Sequence, residues 1–187
     1  MGKGMFKSFL FNRLIDVKRG LITVPNGSDI LFSVVVFLLY MTVALPIGFC
    51  SGFFQIEIFK ANIWVMIVLP ISLFFIPSLF EEMVFRGFLL PHKERKVPTI
   101  RLWFYAAFGI VVFVAWHPIN AMTINHSAYA IFTNPLFLSL AALMAIACTI
   151  TYIKTGSLWV PIAIHWLTVV VWVFFLSGRN FVLNIAR

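Results

Sequence analysis

Acidic side chains are scarce in this chain: six Asp and Glu stand against 14 Lys and Arg among 187 residues. Charged residues of all kinds reach only 11%, and 62% of the residues are hydrophobic. A soluble domain carries about 25% charge, so a water-soluble fold is excluded. Cysteine is nearly absent too. Cys50 and Cys148 lie far apart in or beside apolar segments, and both read as lone thiols rather than a disulfide or metal framework. No HExxH is present for a zincin and no GxSxG for a serine hydrolase. No cofactor is called for.

What the chain has is hydrophobic length. Its mean hydropathy is +1.03, and its size leaves room for about five or six spans of ~20 residues each. The expected fold is all-α, a polytopic transmembrane bundle entered through an N-terminal amphipathic helix at the interface. Residues 1–28 form that N-terminal segment and 29–187 the membrane domain. In the first segment Phe6, Phe9, Leu10, Leu14, Val17 and Leu21 recur at helical spacing, with Lys3, Lys7, Arg13, Lys18 and Arg19 between them. This is the pattern of a helix lying on an anionic leaflet. No short apolar core followed by a cleavage site marks a secretory signal. Phe6 stands where myristoylation of Met1-Gly2 would need Ser or Thr.

Spans are expected near 30–49, 63–90, 101–120, 136–153 and 157–177. The second is too long for one straight helix and carries Pro70 and Pro77, so it should kink. The stretch 118–135, with Pro118, Asn120, Asn125 and Asn134-Pro135, reads as a loop or short interfacial helix. The net charge of +8 would suit nucleic acid or a membrane. Because the basic residues sit beside apolar spans, membrane lipid is the expected partner and nucleic acid is not. Lys3, Lys7, Arg13, Lys18, Arg19, the 93–101 loop and Lys154 fall on one side, which the positive-inside rule makes cytoplasmic. Arg179 and Arg187 would then be external exceptions.

Within this apolar background Glu81, Glu82 and Arg86 stand close together. An ionisable group at bilayer depth costs roughly 2.5–3.5 kcal/mol and is a functional candidate by default. On a helix Glu82 and Arg86 share a face, whereas Glu81 points about 140° away from Arg86 and is free to meet a neighbouring span. Phe113 and His117 share one face of the third span. In the fifth span His165 shares a face with Thr168, Val169 and Trp172. His92 and His126 fall in loops and read as solvated. Peptide hydrolysis needs a base for water and donors for the developing oxyanion, and this set of residues contains both types. Glu81, His117 and His165 would also make three zinc ligands, a weaker reading without HExxH.

Glu81-Glu82-Met-Val-Phe-Arg86 matches EExxxR, Phe113-Val-Ala-Trp-His117 matches FxxxH, and Tyr152 to His165 leads into a third motif. Together they resemble the CAAX prenyl protease and bacteriocin-processing (CPBP, or Abi) family of intramembrane glutamic proteases, over about residues 65–178. The resemblance implies a protease that cuts a membrane-embedded or membrane-proximal peptide, in the inner (plasma) membrane of a bacterial cell. It implies that Glu81 and His117 activate water, that Arg86 orients the glutamate pair, and that His165 helps stabilise the oxyanion. The family's third motif continues HxxxN or HxxxD, but here the position is Val169. Thr168 and Asn120 are the candidates to replace that donor, with Phe113 in support. Two other classes compete: a catalytically silent scaffold or immunity-type protein binding a partner in the same cavity, and a proton-relay transporter, which lacks the expected inverted repeat. The enzyme reading requires Glu81, His117 and His165 to converge on one cavity.

Overall fold

A computed structural model describes residues 3–178, with side chains from Lys7 onward. Arg179, Arg187 and Met1-Gly2, which entered the reading of topology and lipidation, lie outside the described residues. Among the described residues seven helices make up the fold: α1 (Lys3–Ile22), α2 (Gly27–Cys50), α3 (Ile63–Phe88), α4 (Thr99–Thr123), α5 (Tyr129–Phe132), α6 (Pro135–Thr155) and α7 (Trp159–Phe175). Of these, α2, α3, α4 and α6 are long and apolar enough to cross a membrane, and α7 is an apolar helix of 17 residues. The chain is an all-helical membrane bundle. Its outward surface carries Leu38, Leu39, Trp64, Val68, Phe104 and Val111, all exposed, as lipid-facing positions should be.

Local chemistry sets the helix limits. Asn26 caps α2 through a reciprocal box: the Asp29 amide donates to Asn26 Oδ1 at 2.9 Å, and the Asn26 amide donates to Asp29 Oδ2 at 3.2 Å. Asn62 caps α3, accepting from the Val65 amide at 3.0 Å. Asn134 caps α6, with Pro135 in the first turn, where a missing N–H costs nothing. Gly156 ends α6 at φ +69°, a left-handed conformation that a side chain would resist.

The expected kink in the second span is present. Ile76 has φ −133° and ψ 109°, because the ring of Pro77 pushes the preceding residue out of the α region and supplies no donor. The break falls within Phe74–Leu79, and beyond it the short α-helical stretch Phe80–Glu82 runs into a π-helical turn at Met83–Phe88. One expectation is corrected. Pro118 does not end the third span, which continues to Thr123 and carries Asn120 on its last turns. Only 126–132 forms the short helical connection.

Helix α6 is the centre of the bundle: half of its apolar window is buried, against 6% for α3. It packs against α2, α4 and α7. Between α2 and α3 an extended strap pins itself to the end of α7, where the Glu57 and Phe59 amides donate to Phe175 O and Phe174 O at 3.1 and 2.9 Å. A Cβ on Gly48 would lie 2.0 Å from the Phe54 ring, so glycine there lets the strap close against α2.

The N-terminal helix packs differently from a simple surface helix. Its buried positions are Arg13, Asp16 and Gly20, while Phe9, Phe11 and Leu14 stay exposed. Asp16 is fully buried and takes Arg95 Nε at 2.6 Å, and Arg95 also donates to Asn12 O at 2.7 Å. The Leu158 amide donates to Gly20 O at 2.9 Å and the Trp159 indole to Leu21 O at 2.8 Å. Hydrogen bonding therefore ties α1 to the 92–95 loop and to the turn before α7.

His92 sits at this junction and is buried, not solvated as a loop histidine would be; His126 is exposed as expected. His92 Nε2 lies 3.0 Å from Gly156 O and 3.4 Å from Thr23 Oγ1, and the Glu94 amide lies 3.3 Å from Nδ1. A carbonyl only accepts and an amide N–H only donates. The ring is therefore the neutral tautomer with its proton on Nε2. Burial pushes its pKa below the usual histidine value. The unfolded chain then binds the extra proton first, so the contribution is complete above the unfolded pKa of about 6.5 and is lost as pH falls toward the folded value. The unfolding temperature in detergent should fall between about pH 7.5 and 5.5, and fall less in His92→Gln, which keeps a donor for Gly156. Equal falls in both proteins would remove His92 as the cause.

Candidate active site

Just past the Pro77 break, Glu81 and Glu82 enter the bundle on consecutive residues and part ways. Glu82 is fully buried and its Oε1 accepts from Arg86 at 2.9 Å, one helical turn on. The spacing of the motif predicts this pair, and the structure contains it. The same Oε1 lies 2.9 Å from His165 Nδ1 on α7. Arg86 also donates to Ala145 O of α6 at 3.1 Å, and its guanidinium lies over the Phe113 ring at 4.6 Å. One carboxylate and one guanidinium thus join α3, α4, α6 and α7.

Phe113 is fully buried and holds the other polar residues around it. Its ring meets Phe85 edge-on at 5.1 Å, His117 at 5.0 Å and His165 at 5.9 Å. His117 Nδ1 lies 3.0 Å from Phe113 O, so that nitrogen carries a proton and donates it. Nδ1 of His165 must likewise be the donor to the Glu82 carboxylate. In the neutral form, each ring then presents an unprotonated Nε2.

Glu81 is held differently from Glu82. Glu81 Oε2 lies 4.0 Å from His165 Nε2. That oxygen is buried without a hydrogen-bond partner. Glu81, His117, His165, Asn120, Thr168 and Val169 all line one cavity of about 430 Å³. The rest of its wall is mainly apolar and aromatic: Tyr40, Phe53, Phe54, Phe132, Phe137 and Trp172. The cavity brings together every candidate read from the sequence except Glu82, Arg86 and Phe113, which stand behind it.

Two of the candidate donors differ in availability. The Thr168 hydroxyl donates to Ile164 O at 2.8 Å, so its proton is already used by its own helix. Asn120 Oδ1 is buried without a partner; that atom is an acceptor, and the donor of this side chain is its amide nitrogen. Among the described residues no group of three or more His, Cys, Asp or Glu is placed to hold a metal ion. Tyr40 escaped the sequence reading: an aromatic residue in a span outside the motifs looks like packing until the fold brings it to the cavity.

Helices of membrane length around a buried polar cavity define an integral membrane protein with an internal site. Residues 61–171 match the family model described as type II CAAX prenyl endopeptidase Rce1-like, and the chain belongs to that family. The match spans all three motifs and agrees with the resemblance they carry. At family level this is an intramembrane endopeptidase of the CAAX-protease type. No curated protein and no solved structure gives a significant match.

The Glu82–Arg86 pair sits where neither charge reaches water. Removing one side leaves the other uncompensated, at a cost of about 3–5 kcal/mol. Arg86→Ala should lower both the yield and the unfolding temperature of purified protein, whereas Glu81→Gln should leave both unchanged. If Arg86→Ala melts with the wild type, the pair is not structural.

Proposed function

We propose that this protein is an endopeptidase that hydrolyses a peptide bond of a membrane-embedded or membrane-proximal substrate with water activated by Glu81 and His117. The observation that carries this reading is the division of labour between adjacent glutamates. Glu82 is committed to Arg86 and His165, while Glu81 keeps a buried oxygen without a partner and lines the cavity that His117 also lines.

In this scheme Glu81 takes a proton from water and His117 holds the same water through its bare Nε2. The water oxygen attacks the peptide carbonyl, and Glu81 returns the proton to the leaving amine. Arg86 and Glu82 act as positioning residues. His165 serves as an oxyanion donor only when both ring nitrogens carry protons, so a neutral donor is also needed. Asn120 provides one, with Phe113 fixing the histidines. The aromatic wall suits apolar side chains of a substrate held within the bilayer. The Lys93, Arg95, Lys96, Arg101 and Lys154 side faces the cytoplasm, α1 lies along that interface, and the setting is a bacterial inner membrane.

The test is cleavage of a transmembrane peptide library by purified protein in lipid. Loss of the base should cost about 10²–10⁴ in rate, so Glu81→Gln and His117→Ala should abolish detectable turnover while folding normally. Val169→Asn places an amide one turn after His165 and should raise turnover, since one oxyanion donor contributes about 10²–10³. If wild type and every variant fold but none cleaves any peptide, the silent-scaffold reading replaces this one.

A further inference from the structure

Stabilising an oxyanion requires a proton-bearing group aimed at the reacting oxygen. Most candidates at this cavity have already given theirs away. His117 and His165 direct their Nδ1 protons to Phe113 O and Glu82. Thr168 directs its proton to Ile164 O. Val169 has none. Among the other described lining residues, the Asn120 amide and the Tyr40 hydroxyl are neutral donors.

Tyr40 stands midway along α2, outside the range matched by the family model. Its side chain is buried and lines the same cavity as Glu81, His117 and His165. Thr168 and Val169 line the same cavity, and the Thr168 side chain neighbours the Tyr40 hydroxyl. The phenol therefore stands beside the α7 stretch where the HxxxN pattern would place an amide. A phenol turns its proton by rotation about one bond, so it can reach a developing oxyanion without moving its ring.

We propose that Tyr40 is a catalytic residue: it supplies from the first span the oxyanion donor that Val169 lacks, opposite Asn120 on α4. The proposal rests on the endopeptidase reading. Hydrolysis stays balanced as above, with Tyr40 hydrogen-bonding the tetrahedral oxygen and keeping its own proton.

The test compares wild type, Tyr40→Phe, Val169→Asn and the double variant on one cleaved peptide, with unfolding temperature measured for each. Tyr40→Phe removes a single oxygen and keeps the ring. It should lower kcat by about 10²–10³ with KM unchanged, the loss expected for one missing oxyanion donor. In the Val169→Asn background the same change should cost less than about tenfold, because the restored amide takes over. A general packing defect would not be rescued in that way. Should Tyr40→Phe alone prove unstable, the double variant read against Val169→Asn still decides: a full loss there overturns the proposal. Wild-type rates in Tyr40→Phe, with Glu81→Gln dead, overturn it as well and leave the endopeptidase reading standing. No cleavage by wild type overturns both.

Discussion

Glu82 Oε1 accepts from a guanidinium on its own helix and from an imidazole on another. That one oxygen joins α3 to α7 at the site. It fixes Arg86, which in turn reaches a carbonyl of α6 and the face of Phe113. It fixes the proton of His165 on Nδ1. It also commits one of two adjacent glutamates, and helix geometry then turns the other away from Arg86 and toward the cavity. In an interior of low dielectric such an ion pair contributes little net stability compared with an apolar replacement, yet is costly to half-remove. Its retention fits a role in specifying geometry rather than in holding the bundle together.

The backbone supports this arrangement with irregularity in one place. Pro77 breaks α3 ahead of Phe80–Glu82, and a π-helical turn follows at Met83–Phe88. Such turns are frequent at functional sites. Around them the packing is regular. Helix α6 lies at the centre, Phe113 fills the space between Arg86 and the histidines, and the strap seals one wall with Phe53 and Phe54.

Much of this was legible in the chain itself. The span limits follow from hydropathy and from Asn26, Asn62 and Asn134 as caps. Glu82 and Arg86 declare their pairing by spacing along one helix. The kink follows from Pro77. Contacts that cross between helices carry no such signal: nothing local tells that His165 bonds Glu82, or that Tyr40 meets Thr168. Proline misled at position 118, where the surrounding bundle carries α4 past a residue that would end an isolated helix. Loop position misled at His92, because its ring meets Thr23, just past the N-terminal helix, and the Gly156 carbonyl, far from it in sequence.

The brevity of α7 has a consequence for the surrounding lipid. Seventeen residues make a helix about 25 Å long, several ångströms short of a hydrocarbon core about 30 Å thick. This is the helix that carries His165, and Trp159, Leu167 and Phe175 expose apolar surface along it. Lipids meeting that side must compress, or shorter-chained species must collect there. The bilayer is then thinnest beside the polar cavity, which shortens the path for water to Glu81 and makes membrane thickness a determinant of how this protein works.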